Sequence, residues 1–240
     1  MKRMRLTRSV AVLLLVGLAG CATSPPSSFY TLTALPDTRE AGGAPGVALG
    51  VGLGPVSFPQ FLDRPQIVSR GGGNRLTIDE FHRWGGTLQD DFVRVWSENL
   101  SSLLGTSAVF ILPSEVRYPL DFRVAADVLA FEGTSDAQAL LKVRWVVLDH
   151  QRERTLVVEE TTYRRALAEP RDEAALIAAM SSALGDFSRD VAATLRNLPR
   201  PERPGPLSPE HDDRGGPDAS TRVEAGLGPG SPASRSRTSR

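Results

Sequence analysis

Three runs of alternating apolar and polar residues, flanked by two amphipathic helical stretches, constrain this chain more than anything else in it. Leu120, Phe122, Val124, Ala126 and Val128 alternate with Asp121, Arg123, Ala125 and Asp127. Ala139, Leu141, Val143, Trp145 and Val147 alternate with a mixed face carrying Lys142 and Arg144, and a third run extends roughly from Thr155 to Tyr163. Side chains along a strand point to opposite faces in turn, so a period of two buries one face and leaves the other wet. The connections at 132–136 and 150–153 are short enough for antiparallel neighbours, which predicts an antiparallel meander with one covered face.

Two helices are available to cover it. Leu88, Phe92, Val95, Trp96, Leu100, Leu103 and Leu104 recur at steps of three and four and lay an apolar stripe along one helix. Thr87 with Asp90 three residues on is a variant capping box, and Gly105 ends the helix. Arg94, Glu98 and Asn99 lie off the stripe and are expected in water. A last helix, opened by Pro170, carries Ile177, Met180, Leu184, Phe187, Val191, Leu195 and Leu198 on its apolar side.

Upstream, Phe29 to Thr33 reads as a first strand and 36–46 as a loop. Residues 47–53 read as a glycine-studded strand closed by Pro55. Gly50, Gly52 and Gly54 resemble a dinucleotide loop only superficially, because Pro55 and Pro59 leave no room for the helix that motif needs. Close approach of a neighbour is the better reason for those glycines. One helical turn then an extended piece suits 59–67, and Gly71-Gly72-Gly73-Asn74 turns 67–69 back on 75–78 as a hairpin. A short apolar strand fits 108–112.

The N-terminus decides where the protein lives. Lys2, Arg3, Arg5 and Arg8 precede a short apolar run, VAVLLLVG, and small residues lead into Leu18-Ala19-Gly20-Cys21. This is a secretory signal too short to span a bilayer as a mature helix. Its ending resembles the lipobox of bacterial lipoproteins, in which the cysteine is acylated and becomes the new N-terminus. Cys21 is the only cysteine, so no internal disulfide can form. The divisions expected are a signal (1–20), a lipidated tether (21–28), one domain (29–198) and a tail (199–240). Ala22 after the cysteine, where Asp would suggest inner-membrane retention, points by resemblance to the periplasmic face of the outer membrane.

Charge is distributed unevenly along the chain. The 28 basic and 28 acidic side chains cancel overall, but the signal is purely basic and the domain between signal and tail is mildly acidic. That balance argues against nucleic acid as a partner and against electrostatic attraction to anionic lipid. The tail is rich in Pro, Gly and Ser and lacks aromatic residues, so it is expected to stay disordered.

Catalytic candidates are thin. Of the three histidines, His211 lies in the tail and His150 in a turn, while His82 belongs to the polar-aromatic run Asp79-Glu80-Phe81-His82-Arg83-Trp84. There is no paired-histidine metal spacing, no nucleophile elbow and no phosphate loop with its lysine. The expectation is a non-enzyme with no cofactor and no metal, in which Trp84 packs on the following helix while His82 and Arg83 hold a turn.

Four motifs after the lipobox carry a resemblance: Phe29-Tyr30-Thr31-Leu32, then Gly54-Pro55-Val56, then Phe61-Leu62-Asp63-Arg64-Pro65-Gln66-Ile67-Val68, then His82-Arg83-Trp84 with Leu88 and Asn99-Leu100. In this order they resemble the periplasmic lipoprotein of the paraquat-inducible (Pqi) system, the auxiliary lipoprotein component of ABC-type transport. The resemblance covers Tyr30 to about Leu198 and stops short of the tail. It implies an α/β domain whose mixed, largely antiparallel sheet is packed by two long helices, in an anticodon-binding-domain-like or TolB-N-terminal-like layered arrangement. It also implies a mammalian-cell-entry (MCE) domain lipid-transport protein as partner, with its ABC permease and ATPase, and admits a homo-oligomeric ring. A cell-wall or secretion assembly lipoprotein and a lipid-anchored periplasmic hydrolase are the competing readings. The 63–66 loop (Asp63, Arg64, Gln66) and the 82–84 turn (His82, Arg83, Trp84) are the expected partner contacts, because their polar and aromatic groups lack helical or strand phase.

Overall fold

The computed structural model describes residues 26–36, 49–115, 118–149 and 154–201. The signal, Cys21, most of the 36–46 loop, the turn with His150, and the tail from 202 with His211 lie outside them. The described strands are β1 (Ser28–Tyr30), β2 (Val51–Ser57), β3 (Gln66–Arg70), β4 (Leu76–Trp84), β5 (Val109–Ile111), β6 (Phe122–Gly133), β7 (Gln138–Asp149) and β8 (Arg154–Ala166). The helices are α1 (Leu88–Leu104) and α2 (Glu173–Asn197), with a single 3-10 turn at Gln60–Leu62.

β6, β7 and β8 form the antiparallel meander that the alternation predicts, and β6 anchors the rest of the sheet. Its remaining edge is shared. β2 runs parallel to its first half, and β3 meets it at the far end, where Ser69 pairs with Gly133. β5 adds to β2, while β4 and then β1 extend outward from β3. The sheet is mixed, and the fold is α/β with two packed helices.

Both helices cover the face carrying Phe122, Val124, Val143 and Trp145. The aromatic centre is compact: the Phe187 ring stacks on Trp96 at 5.1 Å and meets Trp145 edge-on at 6.1 Å. Every member of the predicted α1 stripe from Leu88 to Leu100 is buried, and the α2 stripe is buried from Ile177 to Leu195. Thr87 caps α1 by accepting from the Asp90 N–H at 3.1 Å, and Gly105 closes it at φ 63°, a backbone state that disfavours other residues.

Five expectations need correction. Asn99 is fully buried, because α1 is covered by the sheet on one side and by α2 on another, so its buried arc is wider than one stripe. Its amide donates to the Ser188 hydroxyl at 3.1 Å and its carbonyl accepts from the Leu35 N–H at 2.7 Å. Asp121 is also buried and precedes its strand, accepting the Gly50 N–H at 2.8 Å.

The first strand stops at Tyr30. From Leu32 the backbone is claimed by helix side chains: Asp91 takes the Leu32 N–H and Ser181 the Thr33 N–H. β2 does not close at Pro55, because Gly54 and Pro55 form a bulge against β6, after which Val56 and Ser57 resume pairing. α2 starts at Glu173 rather than Pro170, since Arg171 turns left-handed and Asp172 supplies the cap, accepting the Ala175 N–H.

The glycines at and before the start of β2 behave as the sequence suggests: a Cβ on Gly50 would sit 2.5 Å from the Pro119 carbonyl, and one on Gly52 2.7 Å from the Leu112 side chain. Among the described residues no helix is long and apolar enough to cross a membrane.

Candidate functional site

The two segments singled out in the sequence, 63–66 and 82–84, meet in space. The 3-10 turn ends at Asp63, whose N–H donates to the Gln60 carbonyl, and Pro65 then accepts the Trp84 N–H at 2.7 Å. Gln66 stands opposite Arg83 in the β3–β4 ladder, and on the other edge β1 pairs with β4 in parallel, Ser28 with His82, Phe29 with Arg83 and Tyr30 with Trp84. Residues 82–84 are therefore strand rather than turn. Trp84 is buried against the core, so of the six residues expected to meet a partner it has the least to offer. Asp63 is exposed, while Arg64, Gln66, His82 and Arg83 are half-buried.

Between two pairing points, Gln66 with Arg83 and Val68 with Ile78, one residue of β3 faces four of β4, residues 79–82. The excess forms a wide bulge, a device that re-aims side chains. Asp79 closes it. One carboxylate oxygen accepts the N–H groups of Phe81 at 2.8 Å and His82 at 3.0 Å, and the other lies 2.9 Å from the His82 Nδ1. This is local capping, in which a short acidic side chain replaces the missing ladder partner. The Tyr30 ring lies 5.7 Å from the imidazole, and the Gln66 amide reaches toward Glu80.

Electrostatics follow from this packing. Burial works against the charged form of Asp79, but the hydrogen bonds from Phe81 and His82 outweigh it and hold its carboxyl below the usual range. Glu173, at the start of α2, is shifted the other way: burial raises its pKa, the neighbouring Asp79 charge adds to that, and His82 opposes it. Arg64 has its Nε buried without a hydrogen-bond partner, while the Arg83 Nε donates to the Glu80 carbonyl at 3.2 Å.

Chemically, the site offers donors and acceptors on an open flank. Ser28 stands opposite His82 in the ladder. Among the described residues no group of three or more His, Cys, Asp or Glu side chains could hold a metal. A cleft of about 290 Å³ lies elsewhere, between β2, β5 and the start of α1, lined by Leu53, Val56, Val93 and Ile111. The sequence reading names His82, in a run that also holds Asp79, but gives no site role to Tyr30 or Glu173. Those two come from remote segments, and nothing in the local pattern of either reveals that the bulge gathers them.

The family model for the ABC-type transport auxiliary lipoprotein component matches residues 30–192, and the chain belongs to that family. Of the solved structures, an uncharacterized protein is similar at 13% identity with a TM-score of 0.59, covering 71% of this chain and 99% of its own. The protein XCC0632 from Xanthomonas campestris is similar at 19% identity with a TM-score of 0.55, covering 70% of this chain and 94% of its own. Both likenesses are of fold. No curated protein matches the chain.

Proposed function

We propose that this ABC-type transport auxiliary lipoprotein is held by acyl chains on Cys21 at the periplasmic face of the outer membrane. There it docks the conduit of an MCE-type lipid-transport system without catalysing a reaction. Each buried CH₂ of an acyl chain contributes about 0.8 kcal/mol, so several chains keep the protein on a bilayer with no transmembrane helix. Seven residues separate Cys21 from Phe29, which at about 3.3–3.6 Å per residue holds the domain within roughly 25 Å of the membrane. A domain kept that close serves as a receiving platform for a protein arriving from the inner membrane.

The observation that carries the docking role is the convergence of 63–66 with 82–84 on the β1–β4–β3 flank. Among the described residues Arg64 and Arg83 enter no ion pair with an acidic side chain, and arginine is enriched at the energetic centres of protein interfaces. The test is co-purification of the mature lipoprotein with the MCE-domain protein of the same cell. The Arg64→Ala, Arg83→Ala double variant is expected to lose the partner while its circular dichroism is unchanged. A folded double variant that retains the partner at wild-type level would remove this flank from the docking role.

A further inference from the structure

The sheet divides at one point. β1, β4 and β3 pair among themselves, and β2, β5, β6, β7 and β8 do the same. Among the described residues the two parts share a single ladder pair, Ser69 of β3 with Gly133 of β6. The joint is close: a Cβ on Gly133 would sit 2.9 Å from the Ser69 hydroxyl and 3.1 Å from the Leu176 side chain of α2. Leu62, Ile67, Val68 and Trp84 pack the inner side of the smaller part on the common core. Apolar contact has no direction, so it holds that part down without fixing how it is turned.

A charged contact beside the joint supplies the direction. Glu132, the residue before Gly133, is fully buried. Its Oε1 accepts from the Arg70 Nε at 2.5 Å, and its Oε2 accepts the Phe131 N–H at 3.0 Å. Arg70 follows Ser69 at the end of β3, and its guanidinium lies 5.9 Å from the centre of the Phe61 ring. Phe61 belongs to the 3-10 turn Gln60–Leu62, which leads directly into Asp63 and Arg64. A line of contacts therefore runs from β6, through Glu132 and Arg70, to the turn that presents Arg64. Apolar residues of similar volume often match the stability of a buried ion pair. What the pair adds is geometry, since a charge-assisted hydrogen bond fixes both distance and angle.

We propose that Glu132 and Arg70 are the positioning residues of the docking flank. Together they lock the β1–β4–β3 part, and with it Arg64 and Arg83, at one angle to the β6–β7–β8 scaffold. Glu132 has no surface with which to meet a partner and acts through Arg70. The consequence for docking rests on the role proposed for this flank, whereas the lock itself is measurable in the protein alone.

The experiment is hydrogen exchange, read by mass spectrometry on the full chain, of wild type against the double variant Arg70→Met, Glu132→Leu. Both residues are replaced because Arg70→Ala alone would leave a buried carboxylate unpaired, a strongly destabilising change. In the double variant the amides of 60–70 and 76–84 are expected to exchange about tenfold faster, while those of β7 keep their wild-type rates. The melting temperature is expected to hold, because the apolar pair replaces the ionic one in the same space. If the double variant does not fold, Arg70→Lys takes its place; it keeps the charge, loses the planar fork over the Phe61 ring, and is expected to show the same local rise.

A folded variant whose flank exchanges at the wild-type rate overturns the lock and makes the pair a matter of packing. Faster exchange spread equally over β7 also overturns it, because the pair would then support the whole fold. Co-purification with the MCE-domain protein separates this proposal from the docking role. A variant that loosens the flank and loses the partner supports both. One that loosens the flank and keeps the partner supports the lock and removes the flank from docking.

Discussion

The helix-covered half of the domain and the β1–β4–β3 flank are built on opposite principles. Under the helices, residues with a regular period meet other residues with a regular period: Phe92 and Trp96 of α1, Phe187 of α2 and Trp145 of β7 enclose one another with almost no exposed surface. On the flank, β4 is exposed on both faces for most of its length, its ladder is interrupted by residues 79–82, and a carboxylate holds the interruption together. The first region derives its stability from apolar area and the second from a few placed hydrogen bonds. That contrast suits the docking role proposed for the flank, because a surface that meets partners cannot be closed by its own core.

The largest effect that would break this comparison is at the centre of the core. Trp96→Ala should cost about 3–5 kcal/mol in chemical denaturation, because the ring is fully enclosed and little around it can collapse. A near-neutral result would place that face outside the core.

Asn99 probes the seam where the segment after β1 crosses the helices. Asn99→Ala should cost about 1–3 kcal/mol, since it strands the part-buried Leu35 N–H and removes the buried link to Ser188. Glu98→Ala, one residue earlier and exposed, should stay within about 0.5 kcal/mol. Equal effects at the two positions would erase the distinction between seam and surface.

Asp79→Ala sharpens the comparison on the flank side. The loss of an acceptor serving two backbone N–H groups should cost about 0.5–2 kcal/mol at neutral pH, as it does at helix caps. The sign of its pH dependence follows from the lowered carboxyl. A group held lower in the folded state adds stability above its unfolded value of about 3.9, and that contribution is lost as pH falls further, through the folded value. Wild type and variant should therefore converge in acid, read from thermal melts across pH. A difference that persists unchanged in acid would mean that the bulge depends on shape rather than charge.

The smallest expected effect is at the end of the chain. Stopping before Pro199 should change stability by less than about 0.5 kcal/mol, because the composition beyond it cannot bury a core. A larger loss in the melting curve would make the tail a third region that packs on one of the other two.

The two regions also differ in how far they can be read from residues alone. The α1 and α2 stripes, the Thr87 cap, the Gly105 stop and the three-strand meander are all legible, because each rests on a period or a spacing within one segment. The pairing of 63–66 with 82–84 is not, although each segment stands out by itself: only the ladders that β4 makes with β3 and β1 put Gln66 opposite Arg83 and bring Tyr30 and Glu173 to the same bulge.

Sequence by itself determined the class of this protein: one domain-sized stretch of alternating strands and amphipathic helices, with motifs in the order of an ABC-type transport auxiliary lipoprotein. Tertiary structure decided what that order left open. It buried Asn99 and Asp121, ended β1 at Tyr30, carried β2 past Pro55, and let β2 and β3 share one edge of β6. The physical reason is range. A hydrophobic period is satisfied within a few residues, whereas the fate of a polar group depends on which distant element arrives to meet it.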